Sequence, residues 1–79
     1  MYQAITKVKP IENHKLILSF ENEKRIFDLN PLLDWGRFSE LKDINIFKKV
    51  HISFDTIEWD NGLDLDPEYL YEQSEKINL

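Results

Sequence analysis

Alternating apolar residues on both sides of a short polar segment are the strongest constraint that this sequence places on its fold. Residues 15–29 read KLILSFENEKRIFDL, and a two-residue turn at Asn22 and Glu23 lets the two halves pair. The cross-strand pairs are then Glu21–Lys24, Phe20–Arg25, Leu18–Phe27 and Leu16–Leu29. The apolar side chains that share one face are Leu16, Leu18, Phe20, Phe27 and Leu29. Because strand side chains alternate between faces, this pattern predicts an antiparallel hairpin buried on one side.

A second hairpin is predicted for residues 50–60, VHISFDTIEWD, with Asp55 and Thr56 as its turn. In that register the cross-strand pairs are Phe54–Ile57 and Ile52–Trp59, and all four side chains point to one side. Residues 4–10 predict one further strand, which Pro10 ends.

Two short helical segments are predicted between the hairpins. In NPLLDWG, residues 30–36, Asn30 is a suitable helix cap and Gly36 a suitable exit. In residues 38–50, apolar side chains recur at every third position, which indicates one stripe of a short helix that breaks near Asp43.

The stretch EWDNGLDLDPEYLYE, residues 58–72, contains six carboxylates and is called the acidic segment below. Its Asn61-Gly62 dipeptide predicts a turn. Asp66 is a suitable cap and Pro67 a suitable first helical residue, so DPEYLYEQSEKI predicts a final short helix. The acidic segment is therefore interpreted chiefly as a turn followed by a capped helix, whose carboxylates form an acidic surface.

These elements predict an α+β fold: a small antiparallel sheet built from two hairpins and an N-terminal strand, with short helices packed on one face. Residues 1–79 are expected to form one domain with a thin core, because a chain of this size buries only roughly 60% of its unfolded surface. No cysteine is present, so stability must come from packing, from a homo-oligomer or from a partner. Since neither a signal peptide nor an apolar run of roughly 18 residues is recognisable, we expect a cytoplasmic location and no membrane contact.

Charge is distributed unevenly along the chain, which has a net charge of −5. Residues 1–50 carry nine basic and seven acidic side chains, whereas residues 51–79 carry one basic and eight acidic side chains. Nucleic acids are polyanions that require basic patches, so the last third argues against direct nucleic-acid binding. Its carboxylates either face water or meet a small basic protein partner.

Six residues of the acidic segment are the candidates for contacting that partner: Asp60, Asp64, Glu68, Tyr69, Tyr71 and Glu72. Tyr69 and Tyr71 lie about 200° apart on a helix, so both cannot be buried on one face. At least one of these two rings is therefore expected to be exposed, where aromatic side chains serve as interface anchors.

Metal binding is a weaker interpretation of the acidic segment. A calcium loop of the EF-hand type with Gly62 at its sixth position places Ile57 first and Trp59 third, and neither offers a side-chain oxygen. A looser site remains an alternative, with Asp60, Asn61, Asp64 and Asp66 as its ligands. We expect neither a metal nor another cofactor.

Catalysis is not indicated by the residues either. His51, Ser53 and Asp55 alternate on one strand face, but alternate side chains are about 6.6 Å apart, too far for a proton relay. In the predicted register His51 faces Asp60, a pairing that is either an ordinary surface contact or sensitive to pH. We therefore predict no catalytic residues and no enzymatic activity.

Three stretches together resemble a family of short bacterial domains of unknown function, family number 2442: FDLNPLL (27–33), FKKV (47–50) and IEWDNGLDLDPEYLYE (57–72). The closing signature of that family is carried here by Trp59, Gly62, Asp64, Pro67, Leu70 and Tyr71. The likeness extends over residues 2–74. Many members have a glycine in the first hairpin turn, where this chain has Asn22 and Glu23.

The resemblance implies a small α+β domain. Some longer relatives carry an appended helix-turn-helix domain, which is not found in these 79 residues. Genes of such proteins often lie beside a second small gene in an arrangement similar to a toxin–antitoxin pair, which makes this chain the antitoxin-like member. A small basic protein, such as an RNA-cutting toxin, is then the expected partner, and self-association as a homodimer is the alternative.

Overall fold

The computed structural model describes residues 3–77. Those residues form seven strands: β1 (Lys7–Ile11), β2 (Lys15–Ser19), β3 (Lys24–Asp28), β4 (His51–Ser53), β5 (Thr56–Glu58), β6 (Asp64–Leu65) and β7 (Glu75–Lys76). Two 3-10 segments span Asn30–Leu32 and Gly36–Lys42, and the α-helices are α1 (Ile44–Phe47) and α2 (Pro67–Gln73). The α+β class is confirmed.

The strands form two antiparallel sheets instead of the single sheet expected. The four-stranded sheet has the order β1-β2-β3-β7, and the three-stranded sheet has the order β4-β5-β6. Each hairpin is extended separately by a two-residue strand from the last third of the chain, so the two hairpins do not pair with each other. The N-terminal segment links them: the amide of Ile5 donates to the carbonyl of Asp55 at 2.9 Å, and the amide of Thr6 to that of Ser19 at 2.8 Å.

The first hairpin has the predicted faces, but its predicted register is wrong by two residues. The observed pairs include Ser19–Lys24, Leu18–Arg25 and Leu16–Phe27. A slip of two residues leaves every side chain on its original face, so the five apolar residues predicted to be buried are indeed buried: Leu16, Leu18, Phe20, Phe27 and Leu29. The observed turn is longer than predicted: the Phe20 amide donates to the Glu23 carbonyl at 2.8 Å, and the Phe20 ring packs edge-on against Tyr71, with ring centroids 5.2 Å apart.

The second hairpin shows the same two-residue slip. Ile52 pairs with Ile57, and the turn consists of Phe54 and Asp55. Ile57 and Trp59 are fully buried as predicted, whereas Phe54, predicted on the same side, is 97% exposed. Its position at the first turn residue, with φ of 56°, removes it from the strand and directs its ring into solvent.

The segments between the hairpins are mostly 3-10 helix. Asn30 does not cap the first segment as predicted. It is the first helical residue, and its side-chain amide instead donates to the Asn13 carbonyl and to Asp28 Oδ1, each at 2.7 Å. The predicted break at Asp43 is confirmed, because Asp43 Oδ1 accepts from the Asn45 amide at 2.9 Å and caps α1.

The final helix begins as predicted and ends earlier. Asp66 Oδ2 accepts from the Tyr69 amide at 3.2 Å, and Pro67 is the first residue of α2. The helix ends at Gln73 because Ser74 is extended and buried, and its oxygens accept hydrogen bonds from the first hairpin. The chain then pairs with β3 as β7.

The core lies between the inner faces of both sheets and the two α-helices. Trp59 is its largest fully buried side chain, and its indole nitrogen donates to the Phe47 carbonyl at 3.1 Å. Leu16, Leu18, Leu41 and Leu70 belong to the same buried cluster. One aromatic residue thus joins the second hairpin to α1.

Trp59→Ala is expected to lower the free energy of unfolding by about 3–5 kcal/mol, because it removes a fully buried ring and leaves a cavity. Trp35→Ala is the matched control, since Trp35 is 69% exposed, and should change stability by less than about 0.5 kcal/mol. Urea unfolding followed by circular dichroism measures both. Equal losses in the two variants would contradict the observed packing.

Candidate protein-binding surface

The turn in the acidic segment is held in place by neighbouring elements. Gly62 has φ of 88°, a conformation that favours glycine, and its amide donates to the Trp59 carbonyl at 3.0 Å. The Asn61 side chain donates to Glu40 Oε1 at 2.9 Å, and the Asn61 carbonyl accepts from Arg37 Nη2 at 2.6 Å. This anchoring fixes the positions of the carboxylates on both sides of the turn.

One group of carboxylates lies on the second sheet. Glu58 pairs directly with His51 on one side and with Asp64 on the other, so the three side chains share one face. Asp60 lies beside them, with its Oδ1 3.5 Å from His51 Nδ1. The predicted contact between His51 and Asp60 is therefore present, although the register that suggested it is wrong.

A second group of carboxylates lies on α2. Glu68 and Glu72 are exposed and one helical turn apart, and together with Gln3 and Tyr71 they line a shallow depression. The opposite side of the helix is buried through Pro67, Leu70 and the following Ser74. The six predicted contact residues thus fall into a strand group and a helix group.

Most of these carboxylates have no internal counter-ion. In the described range 3–77 the salt bridges are Arg25–Glu23, Arg37–Glu40, Lys42–Asp34 and His51–Asp60. Asp64, Glu68 and Glu72 are exposed and take part in none of them. Their charge is available to a molecule outside the fold.

The two tyrosines of α2 differ as the helix geometry requires. Tyr69 is 37% exposed, with its ring edge-on to Phe27 at 6.2 Å. Tyr71 is half-buried, and its hydroxyl donates to Glu23 Oε1 at 2.7 Å. Tyr69 is the more exposed ring, while Tyr71 contributes mainly to the attachment of the helix.

Arg25 is the centre of that attachment. Its Nε donates to Ser74 Oγ at 2.8 Å and its Nη2 to the Ser74 carbonyl at 2.6 Å, while Nη1 contacts Glu23 Oε2 at 3.2 Å. The guanidinium also lies 4.3 Å from the centre of the Tyr71 ring, a cation–π contact. We call Glu23, Arg25, Tyr71 and Ser74 the arginine clasp.

The arginine clasp shifts two pKa values. The hydrogen bond from the Tyr71 hydroxyl and the neighbouring Arg25 guanidinium hold the pKa of Glu23 below its ordinary value, against a smaller opposing effect of burial. The same hydrogen bond raises the pKa of Tyr71. Glu23 is thus stabilised in its charged form.

Sequence reasoning missed the exposure of Phe54, which it placed on the buried side of the second hairpin. Phe54 is 97% exposed at the tip of the second hairpin, and Trp35 is 69% exposed beside Gly36. For Phe54 the available signal is the symmetry of the apolar residues: Val50, Ile52, Ile57 and Trp59 are arranged evenly about Phe54 and Asp55. Large exposed apolar side chains are frequent anchors of protein interfaces.

In residues 3–77, no three His, Asp or Glu side chains lie close enough together to hold a metal ion. His51 contacts the Lys49 carbonyl and Asp60 through Nδ1. No helix in this range has the length and apolar character needed to cross a membrane.

Fold and surface together define a small α+β domain that displays unpaired carboxylates and exposed aromatic rings. The chain belongs to the family described as Protein of unknown function (DUF2442), whose profile matches residues 5–76. Neither a curated protein nor a solved structure matches the chain.

Phe54→Gly is expected to be more stable than Phe54→Ala by about 1 kcal/mol, because a Cβ atom is strained at positive φ. Both variants remove the ring, so the comparison isolates the backbone. Urea unfolding monitored by the fluorescence of buried Trp59 measures the difference. Indistinguishable midpoints and slopes would mean that the turn is unstrained.

Glu23→Gln is expected to reduce the decrease in folding stability that occurs as the pH is lowered. Because folding lowers the pKa of Glu23, its contribution is fully present above its ordinary value of 4.5 and is lost as the pH falls below it. Melting temperatures measured from neutral pH to about pH 3 should therefore fall less in this variant than in the wild type. Glu21→Gln, at an exposed neighbouring position, is the control and should keep the wild-type profile.

Proposed function

We propose that this protein is a non-enzymatic protein-binding module that docks a small basic partner through its acidic segment. The observation that carries the proposal is the lack of internal counter-ions for Asp64, Glu68 and Glu72 within residues 3–77. Glu68 and Glu72 lie on the capped helix α2, and Asp64 follows the turn that Asn61 anchors to Glu40. A preformed array of carboxylates supports recognition of a cationic surface.

Aromatic side chains supply the apolar part of such a contact. Tyr69 is partly exposed on the same helix as Glu68 and Glu72, and the ring of Tyr71 lines the depression between these carboxylates. Interfaces gain affinity from a few rigid aromatic anchors surrounded by polar groups. Charge then selects a basic partner and speeds its approach.

The antitoxin-like role is the more specific form of this proposal. A basic RNA-cutting protein encoded by the adjacent gene has the surface that the acidic segment complements, and occupying that surface excludes RNA. A partner that binds only the folded state also stabilises it. A domain of 79 residues, with its small core, benefits from that effect.

Reversing three carboxylates, with Asp64→Lys, Glu68→Lys and Glu72→Lys together, is expected to weaken partner binding by at least about tenfold while leaving folding nearly intact, because exposed charges contribute little to stability. The test co-expresses the chain with the product of the adjacent gene and measures co-purification and affinity. Circular dichroism verifies the fold of each variant.

The matched control reverses three exposed carboxylates outside the acidic segment: Glu12→Lys, Glu21→Lys and Asp34→Lys. Both triple variants change the net charge by the same amount. The control also removes the exposed salt bridge between Asp34 and Lys42, a contact that contributes little to stability. The control should bind like the wild type. Equal weakening in both variants, or no complex with the wild type, would contradict docking through the acidic segment.

A further inference from the structure

The proposed function leaves the outer face of the four-stranded sheet unused. Directly paired residues lie on the same side of a sheet, and two rows of the outer face are Lys7–Ser19–Lys24 and Lys9–Ile17–Ile26. The inner face carries the fully buried Leu16 and Leu18. Both α-helices contribute their buried side chains to the core on that inner side, so the outer rows face away from them.

The outer face has an aliphatic floor and a basic rim. Ile17 and Ile77 are half-buried and line a shallow groove. The rim of the same groove consists of Lys7, Lys9 and Lys24, all exposed. We call this surface the lysine face.

The three lysines, like Asp64, Glu68 and Glu72, have no counter-ion among the described residues. Two carboxylates also lie on the outer face: Glu75 ends the row of Lys9, Ile17 and Ile26 on the opposite edge strand β7, and Asp28 pairs with Lys15 in the next row. Positive charge is therefore concentrated on the lysine face in a chain whose net charge is −5.

We propose that the lysine face docks the acidic segment of a second copy of this chain. The acidic segment presents the complementary chemistry, with unpaired Asp64, Glu68 and Glu72 beside the exposed ring of Tyr69. Within one copy the two surfaces cannot meet, because α2 packs on the inner side of the sheet and the lysines point outward. The contact is thus heterologous, with one surface of each copy bound to the other surface of its neighbour.

This inference shares with the proposed function the premise that the acidic segment is a docking surface, and adds a second occupant for it. A basic partner and a second copy compete for the same carboxylates. The protein alone self-associates, and binding of the basic partner releases it as a separate complex.

Charge-swap variants test this self-association in the purified protein. The first variant carries Lys7→Glu, Lys9→Glu and Lys24→Glu, and the second carries Asp64→Lys, Glu68→Lys and Glu72→Lys. Sedimentation velocity at low salt should show association of the wild type, loss of association in each variant alone, and its recovery when the two variants are mixed. Raising the salt to about 1 M, where the Debye length is about 3 Å, should dissociate the wild type.

Two control variants separate position from net charge. Lys42→Glu, Lys48→Glu and Lys49→Glu match the first variant in charge, and Glu12→Lys, Glu21→Lys and Asp34→Lys match the second. Each control also removes the exposed salt bridge between Lys42 and Asp34, which contributes little to stability. Both controls should associate like the wild type, with melting temperatures showing that all variants fold. Equal loss in the controls, or no recovery on mixing, would overturn the proposal.

A wild-type chain that stays monomeric at low salt would also overturn it. If a synthetic peptide of glutamate and leucine then bound the wild type but not the first variant, the lysine face would be a binding site for an acidic protein other than a second copy of this chain. Failure of self-association leaves co-purification with the adjacent gene product unaffected, so the two proposals are tested separately.

Discussion

The arrangement of this small domain depends on the hydrogen bonds that the Arg25 guanidinium donates to Ser74. Two hydrogen bonds from one guanidinium end α2 and direct the following residues into β7, which pairs with β3. The same side chain lies against Tyr71 and Glu23, so the helix is attached through its last turn. Without cysteine or a large core, this contact between distant parts of the sequence closes the four-stranded sheet and positions the acidic helix.

Apart from Phe54, the sequence was sufficient to predict which face of each hairpin is buried, but not which residues pair. Both hairpin registers differ from the predicted ones by two residues, and a slip of two preserves the faces. In the first hairpin the alternating pattern therefore indicates the buried face but not the register. In the structure the observed registers accompany tertiary contacts: Phe20 packs on Tyr71, and the Trp59 indole donates to the Phe47 carbonyl.

The parts of the candidate surface that could be predicted are those whose structure depends on neighbouring residues in the sequence. The cap at Asp66 and the turn at Gly62 follow from short-range rules, and the exposed carboxylates follow with them. The exposure of Phe54 and the lysine face required the register and the sheet order. The strands β6 and β7 have only two residues each, too few to leave a periodic signal.

The pairing of Glu58 with Asp64 places two carboxylates opposite each other between β5 and β6. Like charges in this position repel, so the pairing of the two-residue strand β6 with β5 is weakened. A cation placed between them would turn repulsion into attraction and tighten that strand. Binding of that cation would then also order β6, so the domain would become more rigid at the site of contact.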